Sequence, residues 1–211
     1  MVEIRQAGPE DAEELVRLRR LMFAAMDGTD RPGAWEAEAT KVARRQLSGP
    51  DPVLGAFVID ADSAAGDTAT HDGTADDGMA DVGTAGSGTA RRLAACAVGT
   101  VEQRLPAPQH PTGRFAFIFN VCTDPEYRGR GYARATTEAL LDWLAAQGVS
   151  RVDLHATDEA EALYRSLGFT EHSTALSLDA RTFRRPAPEP TGRPTATEHT
   201  GRPAPAEHTG A

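Results

Sequence analysis

Apolar positions along this chain alternate between the two-residue period of strands and the spacing of amphipathic helices. Strands are predicted in six stretches, at 2–6, 53–59, 93–101, 114–123, 151–155 and 169–178. Helices are predicted to open at Pro9, to span 34–47, and to run from Tyr132 to a stop at Gly148 and from Asp158 to a stop at Gly168. This order, β-α-α-β-β-β-α-β-α-β, predicts an α/β fold in which helices flank a single sheet.

Two segments lack the apolar residues that a folded core requires. Residues from about Asp60 to Thr89 are almost entirely Ala, Gly, Asp, Thr and Ser. Such a stretch buries too little surface to offset a backbone ordering cost of about 1–2 kcal/mol per residue. We predict a disordered acidic loop insertion, at about 60–90, that extends the tip of a hairpin.

The C-terminal tail has a different composition but leads to a similar expectation. From about Arg184 it is rich in Pro, Thr, Ala and Glu, and residues 191–199 and 200–208 form a tandem repeat. Because no large apolar residue is present to stack between the repeats, a solenoid is excluded. A disordered tail is predicted over 184–211.

Composition and charge limit the classes of partner and the cellular location that can be expected for this chain. The chain has 31 acidic and 22 Lys or Arg residues, a net charge of −9 that argues against nucleic-acid or anionic-membrane partners. Cys96 and Cys122 lie inside apolar runs rather than in a metal-type spacing, so we expect buried free thiols and no metal. No signal-peptide pattern and no run of about 18 apolar residues is visible. A cytoplasmic location is therefore expected.

A glycine loop between the fourth predicted strand and the following helix carries the strongest chemical signal. It reads Arg128-Gly-Arg-Gly-Tyr-Ala133. Glycines let the backbone approach a ligand and expose consecutive N–H groups, and the helix N-terminus adds positive partial charge. A pyrophosphate is a fitting ligand, although a tight strand-to-helix turn has the same pattern. The P-loop Lys-Ser/Thr and the third glycine of a dinucleotide fingerprint are both missing.

The stretch from Asn120 to Arg134 resembles motif A of the GNAT superfamily of N-acetyltransferases, whose Arg/Gln-x-x-Gly-x-Gly/Ala signature is matched from Arg128 to Ala133. A second family landmark, Leu-Tyr-x-x-x-Gly-Phe, is matched at 163–169. The resemblance covers about residues 1–180, apart from the insertion. It implies the GNAT fold, with a central mixed, mostly antiparallel sheet flanked by helices. It also implies an acyl-CoA-dependent N-acyltransferase with acetyl-CoA as co-substrate.

The resemblance also implies roles for individual residues. The main chain of Val121, Cys122 and Thr123 is expected to pair with the pantetheine arm of the cofactor. Tyr164 is expected to protonate the leaving thiolate, with a core aromatic at a helix end as the alternative. Cys122 is disfavoured as a covalent nucleophile because no His partner is evident nearby. The residues expected to cradle the pyrophosphate are Arg128, Gly129, Arg130, Gly131, Tyr132 and Ala133.

The sequence indicates the acceptor site less clearly than the cofactor site. The resemblance places substrate choice in the first two helices, at about 18–47, where apolar and acidic side chains suit a small amine with cationic character. The alternative is that these side chains are ordinary core residues and loop acids. They are Met22, Phe23, Met26, Asp27, Asp30 and Trp35. Candidate general bases are Glu36, Glu38 and Glu102, or a water-mediated route through Asn120 or Thr123.

Several functional hypotheses stay open at this point. The first is transfer to a primary amine of a small molecule, either an antibiotic, with a role in antibiotic resistance, or a polyamine-like amine. The second is transfer to a protein N-terminus or lysine. A non-catalytic acyl-CoA-binding module and an interaction protein acting through its repetitive tail are the alternatives from other classes. A homodimer is expected from the family alone.

Overall fold

The computed structural model describes residues 2–49, 53–62, 91–172, 174 and 176–182 of the 211-residue chain. The strands in these ranges are β1 (Arg5–Gln6), β2 (Leu54–Asp60), β3 (Leu93–Gln103), β4 (Arg114–Thr123) and β5 (Arg151–Leu154). They form one sheet in the order β1-β2-β3-β4-β5, antiparallel from β1 to β4 and parallel between β4 and β5. The predicted mixed, mostly antiparallel sheet is confirmed.

Helices cover both faces of this sheet. They are α1 (Ala12–Asp27), α2 (Ala34–Leu47), α3 (Tyr132–Ala146) and α4 (Asp158–Ser166), and short 3-10 turns lie at Pro9–Asp11 and Pro125–Tyr127. Because side chains alternate across a strand, neighbours in β3 belong to different cores. Cys96 and Val98 pack with α1 and α2, whereas Ala97 packs with α3.

A close approach between α3 and β2 depends on one glycine. A Cβ at Gly55 would lie 2.4 Å from the Trp143 ring, far inside van der Waals contact. The absent side chain therefore lets α3 settle directly on the sheet, where Leu140 and Leu144 become fully buried. This packing fixes the N-terminus of α3 relative to the end of β4.

Most predicted elements are confirmed, with some shifts at their ends. The helix at 34–47 and the strand at 114–123 have the predicted bounds. β2 and β3 form the predicted antiparallel hairpin, while residues 63–90 of the insertion between them lie outside the described residues, as does the tail from 183 onward. The first strand is shorter than expected, with only Arg5–Gln6 paired.

The strand predicted at 169–178 is not formed in the described part of that stretch. The contacts of the chain fall into two units, Met1–Thr170 and Glu171–Ala211. In the second unit Leu176 and Leu178 are 91% and 69% exposed. The alternating apolar pattern suggested a strand with one buried face, whereas these side chains are largely exposed.

The described ranges contain no helix that is long and apolar enough to cross a bilayer. Within the same ranges no group of three or more His, Cys, Asp or Glu side chains could hold a metal ion. Cys96 and Cys122 are buried free thiols, as their apolar surroundings predicted. They lie directly opposite each other on β3 and β4.

Candidate functional site

β4 pairs with β5 along less than half of its length. Residues 115–118 of β4 pair with 151–154 of β5, whereas pairing with β3 continues as far as Thr123. The β3–β4 register shifts between Val98 and Gly99, which leaves Phe119 as the extra residue of a bulge. A bulge bends its strand, and this one lies where pairing with β5 ends. In the described part of the chain, residues 119–123 thus have a strand partner on one side only.

The direction of the main-chain groups along this open edge follows from the ladder. Antiparallel pairs alternate between facing a partner strand and facing away from it. Asp124 donates its N–H to the carbonyl oxygen of Ala94 at 2.9 Å. The alternation therefore directs the main chain of Cys122 towards β3, and that of Val121 and Thr123 into the opening beside β4.

An independent contact supports this assignment. The Nε of Arg128, in the glycine loop, donates to the carbonyl oxygen of Thr123 at 3.4 Å, so this oxygen does face the open side. Of the three residues predicted to pair with the pantetheine arm, Val121 and Thr123 have the required main-chain orientation. The N–H and C=O of Cys122 are directed into the β3–β4 ladder, and its pairing with the pantetheine arm stays a prediction.

The glycine loop connects the end of this open edge to α3. Gly129 and Gly131 have φ angles of 76° and 78°, a region in which an L side chain is strained by about 1–2 kcal/mol. A Cβ added at either position would meet no atom within 4 Å. The loop surface is therefore open, and α3 begins directly after Gly131. The first turn of an α-helix carries N–H groups without intrahelical acceptors, which suits an anion.

The remaining residues of the loop divide into exposed cations and a buried anchor. Arg128 and Arg130 are exposed, and the Arg130 guanidinium lies 5.3 Å from the Tyr127 ring centroid. Tyr132 is only 3% exposed and packs with Ile59 of β2 and with Ala94 and Ala95 of β3. The side chain of Tyr132 thus holds the loop in place, and only its main chain can serve the predicted phosphate site.

Asp124 fixes the start of the loop, a role that was not predicted. Its carboxylate is 3% exposed and accepts hydrogen bonds from Arg17 at 2.7 Å, Arg92 at 3.2 Å and the N–H of Glu126 at 3.2 Å. Burial alone would raise the pKa of this carboxyl, but these donors hold its pKa below the usual value. An Asp directly before a Pro that opens a helical turn is the sequence signal that could have identified it.

Tyr164 lies in the last turn of α4. It is 8% exposed, and its ring meets the Phe169 ring edge-on with centroids 5.8 Å apart. Burial raises the pKa of its phenol, so this group is protonated at neutral pH and can donate a proton. Arg134 of α3 donates to the Ser166 hydroxyl, which ties the end of α4 to the helix that follows the glycine loop.

On the opposite face of the sheet, a cavity of about 260 Å³ lies between α1, α2 and the strands. Phe119 and Asn120 of the β4 bulge line it, so it reaches the point where β4 leaves β5. Its polar side chains are Arg19, Gln46 and Asn120, and its other lining residues are Leu15, Val16, Ala39, Val42, Ala43, Leu54, Val98 and Phe119.

The residues predicted to bind the acceptor lie elsewhere. None of the six predicted side chains lines this cavity. The Asp30 carboxylate is paired with Arg20 at 2.6 Å, so it is not available as an uncompensated acid. The Trp35 indole donates to the carbonyl oxygen of Arg31. The apolar and acidic surface that the sequence suggested for a cationic amine therefore does not line this cavity.

The three glutamates considered as general bases are engaged in other contacts, and the candidate nucleophile Cys122 is protonated. Glu36 accepts from the N–H of Gly33 and from Arg20, while the two remaining glutamates pair with neighbouring basic residues on the surface. Burial raises the pKa of the Cys122 thiol to about 11, so it is protonated at neutral pH. Of the predicted water-mediated routes, Asn120 lies at the cavity.

Comparison with known families identifies the domain that has this geometry. Residues 80–169 match the model of the acetyltransferase (GNAT) family. This match includes the open half of β4, the glycine loop and the helix of Tyr164. This stretch of the chain is similar to a GNAT acetyltransferase domain. The resemblance seen in the sequence motifs is confirmed.

The curated relatives match the GNAT domain over short stretches. A mycothiol acetyltransferase from Beutenbergia cavernae is 44% identical over 69 residues, which are 31% of this chain and 22% of that protein. The ribosomal protein bS18 alanine N-acetyltransferase from Escherichia coli is 42% identical over 59 residues, 26% of this chain and 40% of that protein. The chain thus matches less than half the length of either relative.

Solved structures share the GNAT fold over most of the chain. A predicted acetyltransferase from Clostridium acetobutylicum, solved with acetyl-CoA, superposes with a TM-score of 0.65 at 18% identity and covers 88% of this chain and 100% of its own. A GCN5-related N-acetyltransferase from Ralstonia eutropha has a TM-score of 0.58 at 21% identity, over 85% of this chain and 99% of its own. At these identities the likeness shows the fold.

Proposed function

We propose that this protein is an acetyl-CoA-dependent N-acetyltransferase that acts on a primary amine of a small molecule. The observation that carries the proposal is the open edge of β4, which leads directly into a glycine loop at the N-terminus of α3. Such an edge offers strand-like hydrogen bonds to an extended pantetheine arm. The loop and helix terminus offer N–H donors and positive potential to a pyrophosphate. The structure solved with acetyl-CoA in the same fold supports this assignment.

The open edge of β4 and the glycine loop have separate roles in binding the cofactor for this reaction. The main chain of Val121 and Thr123 orients the pantetheine arm, and the amides from Gly129 to Ala133 hold the pyrophosphate. Arg128 and Arg130 add positive charge at the mouth of the loop. A cofactor oriented in this way brings its thioester towards the β4 bulge, so that positioning supplies much of the reduction of the barrier.

Tyr164 completes the chemistry as the proton donor. The acceptor nitrogen forms a bond to the thioester carbonyl carbon, the carbon–sulfur bond breaks, and the thiolate receives the phenolic proton. The acceptor nitrogen loses its own proton to solvent, and the phenolate takes up a proton from solvent, which restores the phenol. A phenol whose pKa is raised by burial keeps its proton until the thiolate forms, which suits general acid catalysis.

The cavity favours a small acceptor. Its volume of about 260 Å³ and its mostly apolar lining suit a compact molecule better than a protein lysine presented on a surface. A polycationic antibiotic is not favoured, because the charged residue of the lining is Arg19 and no acid lies among the described lining residues. A role in antibiotic resistance and a cytoplasmic location stay predictions.

Two measurements test the proposal. Acetyl-CoA is titrated calorimetrically into the protein, and free CoA is then followed with a thiol reagent while a panel of small amines is supplied. We expect micromolar binding and amine-dependent release of CoA, with the N-acetyl product seen by mass spectrometry. Binding without turnover on any amine supports the non-catalytic module instead. Absence of binding contradicts the proposal.

A further inference from the structure

Arg19 is the charged residue among those that line the cavity. Residues Leu15, Val16 and Arg19 follow one face of α1 at helical spacing, and all three line the cavity. The Arg19 guanidinium carbon lies 4.7 Å from the ring centroid of Phe23 and 5.3 Å from that of Phe119. The two rings restrict where this side chain can go, so the charge is held beside the β4 bulge.

This cation has no carboxylate partner within the described residues. Its hydrogen bond there is a long one, from Nη1 to the Asn120 Oδ1 at 3.4 Å. The neighbouring arginines of the same helix differ, because Arg17 pairs with Asp124 and Arg20 pairs with Asp30. Burial lowers the pKa of the Arg19 guanidinium. A half-buried charge without a counter-ion is costly, which is the arrangement expected where a ligand supplies the counter-ion.

We propose that the acceptor is a hydrophobic α-amino acid, whose carboxylate pairs with Arg19 and whose side chain fills the cavity. This inference rests on the proposed acetyl transfer. Arg guanidinium pairs with carboxylates through two parallel hydrogen bonds. A phosphate, with up to two negative charges, is less well matched to a lining that supplies one cation.

The position of the bulge explains why the amine belongs next to the carboxylate. Arg19 contacts Asn120, and Asn120 and Phe119 form the part of β4 that separates from β5. A carboxylate held at Arg19 therefore places an α-amino group, one carbon away, beside the opening in which the thioester is expected. The side chain then points between α1 and α2, towards Ala39, Val42 and Ala43.

The test compares matched acceptors in steady-state acetyl transfer. L-leucine and L-methionine are assayed against the amines that lack only the carboxylate, 3-methylbutylamine and 3-(methylthio)propylamine. We expect kcat/KM to favour the amino acids by about 30-fold or more, since removing one partner of a hydrogen-bonded charge pair leaves the other charge without its counter-ion. In Arg19→Gln this preference falls to a few-fold, while Arg19→Lys retains part of it.

Controls separate this inference from the proposed function. Arg20→Gln, one residue along α1, keeps the full preference because its ion pair with Asp30 lies at the surface. N-acetyl-L-leucine, the expected product, is titrated calorimetrically into the protein without cofactor. Binding that is lost in Arg19→Gln supports the carboxylate site even if no turnover is found. Intact acetyl-CoA binding in Arg19→Gln shows that the cofactor site is unaffected.

Three results would overturn the inference. The first is equal turnover of leucine and 3-methylbutylamine. The second is an equal loss of both activities in Arg19→Gln, which assigns Arg19 a structural role. The third is faster transfer from hexanoyl-CoA than from acetyl-CoA with Arg19→Gln unchanged, which assigns the cavity to the acyl chain.

Discussion

The two sides of β4 are built on different principles. On the side of β5 and α3, the candidate cofactor site consists of main-chain groups: a half-open strand edge, two glycines with positive φ and a helix N-terminus. On the side of α1 and α2, the candidate acceptor site consists of side chains around a cavity, with Arg19 as its charge. The strand β4 lies between the two sites. Its bulge borders both of them, because Phe119 and Asn120 line the cavity at the point where pairing with β5 ends.

This difference predicts how each side responds to substitution. A main-chain site tolerates most side-chain changes and fails only where a glycine is lost or the backbone moves. A side-chain site keeps its shape but changes its preference when one residue is replaced. Substitutions on the β5 side should therefore alter cofactor affinity or turnover, and substitutions on the α1 side should alter acceptor choice.

The largest expected effect belongs to Tyr164, a side chain on the otherwise main-chain side. Tyr164→Phe removes the phenolic hydroxyl and keeps the ring against Phe169. We expect kcat to fall by about 100- to 10,000-fold, the usual range for a lost general acid, while the Kd for acetyl-CoA is unchanged. Tyr127→Phe, which removes a hydroxyl beside the loop, is the control. A kcat for Tyr164→Phe within threefold of the unmodified protein assigns Tyr164 to the core.

The next effect tests the main-chain site at its glycine. Gly131→Glu places a carboxylate where the pyrophosphate is expected, and a like charge there costs several kcal/mol, so affinity for acetyl-CoA should fall by about 100-fold. Gly148→Glu is a matched control, because Gly148 follows the other end of α3 with φ 71° and equally open space. Both variants carry the same backbone strain. Equal acetyl-CoA affinity in the two would remove the loop from the cofactor site.

A smaller effect concerns stability at the junction of the two sides. Asp124→Asn keeps the shape but loses charge-assisted hydrogen bonds from Arg17 and Arg92, and we expect it to lower the free energy of unfolding by about 1–3 kcal/mol. The pKa of Asp124 is lowered in the folded state, so its contribution is present above the unfolded pKa of about 3.9. It is lost as pH falls through the lower folded value.

Urea unfolding of both proteins between pH 3 and pH 7 measures this. The difference between them should be constant near neutral pH and shrink in acid. A difference that is the same at every pH would show that packing, and not the charge of Asp124, is responsible.

The smallest expected effect is none at all. Removing the residues beyond Phe183 deletes the tandem repeat and none of the residues that form either side of β4. We expect kcat, the KM for acetyl-CoA and the KM for the acceptor to stay within twofold. A loss of transfer on truncation would assign the tail a part in the site and would support the hypothesis that the protein acts through its repeats.

What the sequence could predict follows the same division. Gly129 and Gly131 were identifiable because main-chain sites restrict residue type, and positive φ leaves glycine as the residue without strain. The strands β2 to β4 were identifiable from their continuous apolar runs. Arg19 was not, because an arginine on an amphipathic helix has the same pattern whether it faces solvent or a cavity. The pairing of Asp30 could not be predicted either, since its partner Arg20 lies ten residues away and no spacing rule connects them.

The orientation of the β4 main chain is the central claim, and amide hydrogen exchange tests it most directly. Exchange at individual residues is followed by NMR in the free protein and with saturating acetyl-CoA. The account predicts that the amides of Val121 and Thr123 exchange readily when free and become protected on binding, while that of Cys122 is protected in both states by β3. Unchanged exchange at Val121 and Thr123, with acetyl-CoA bound, would contradict it.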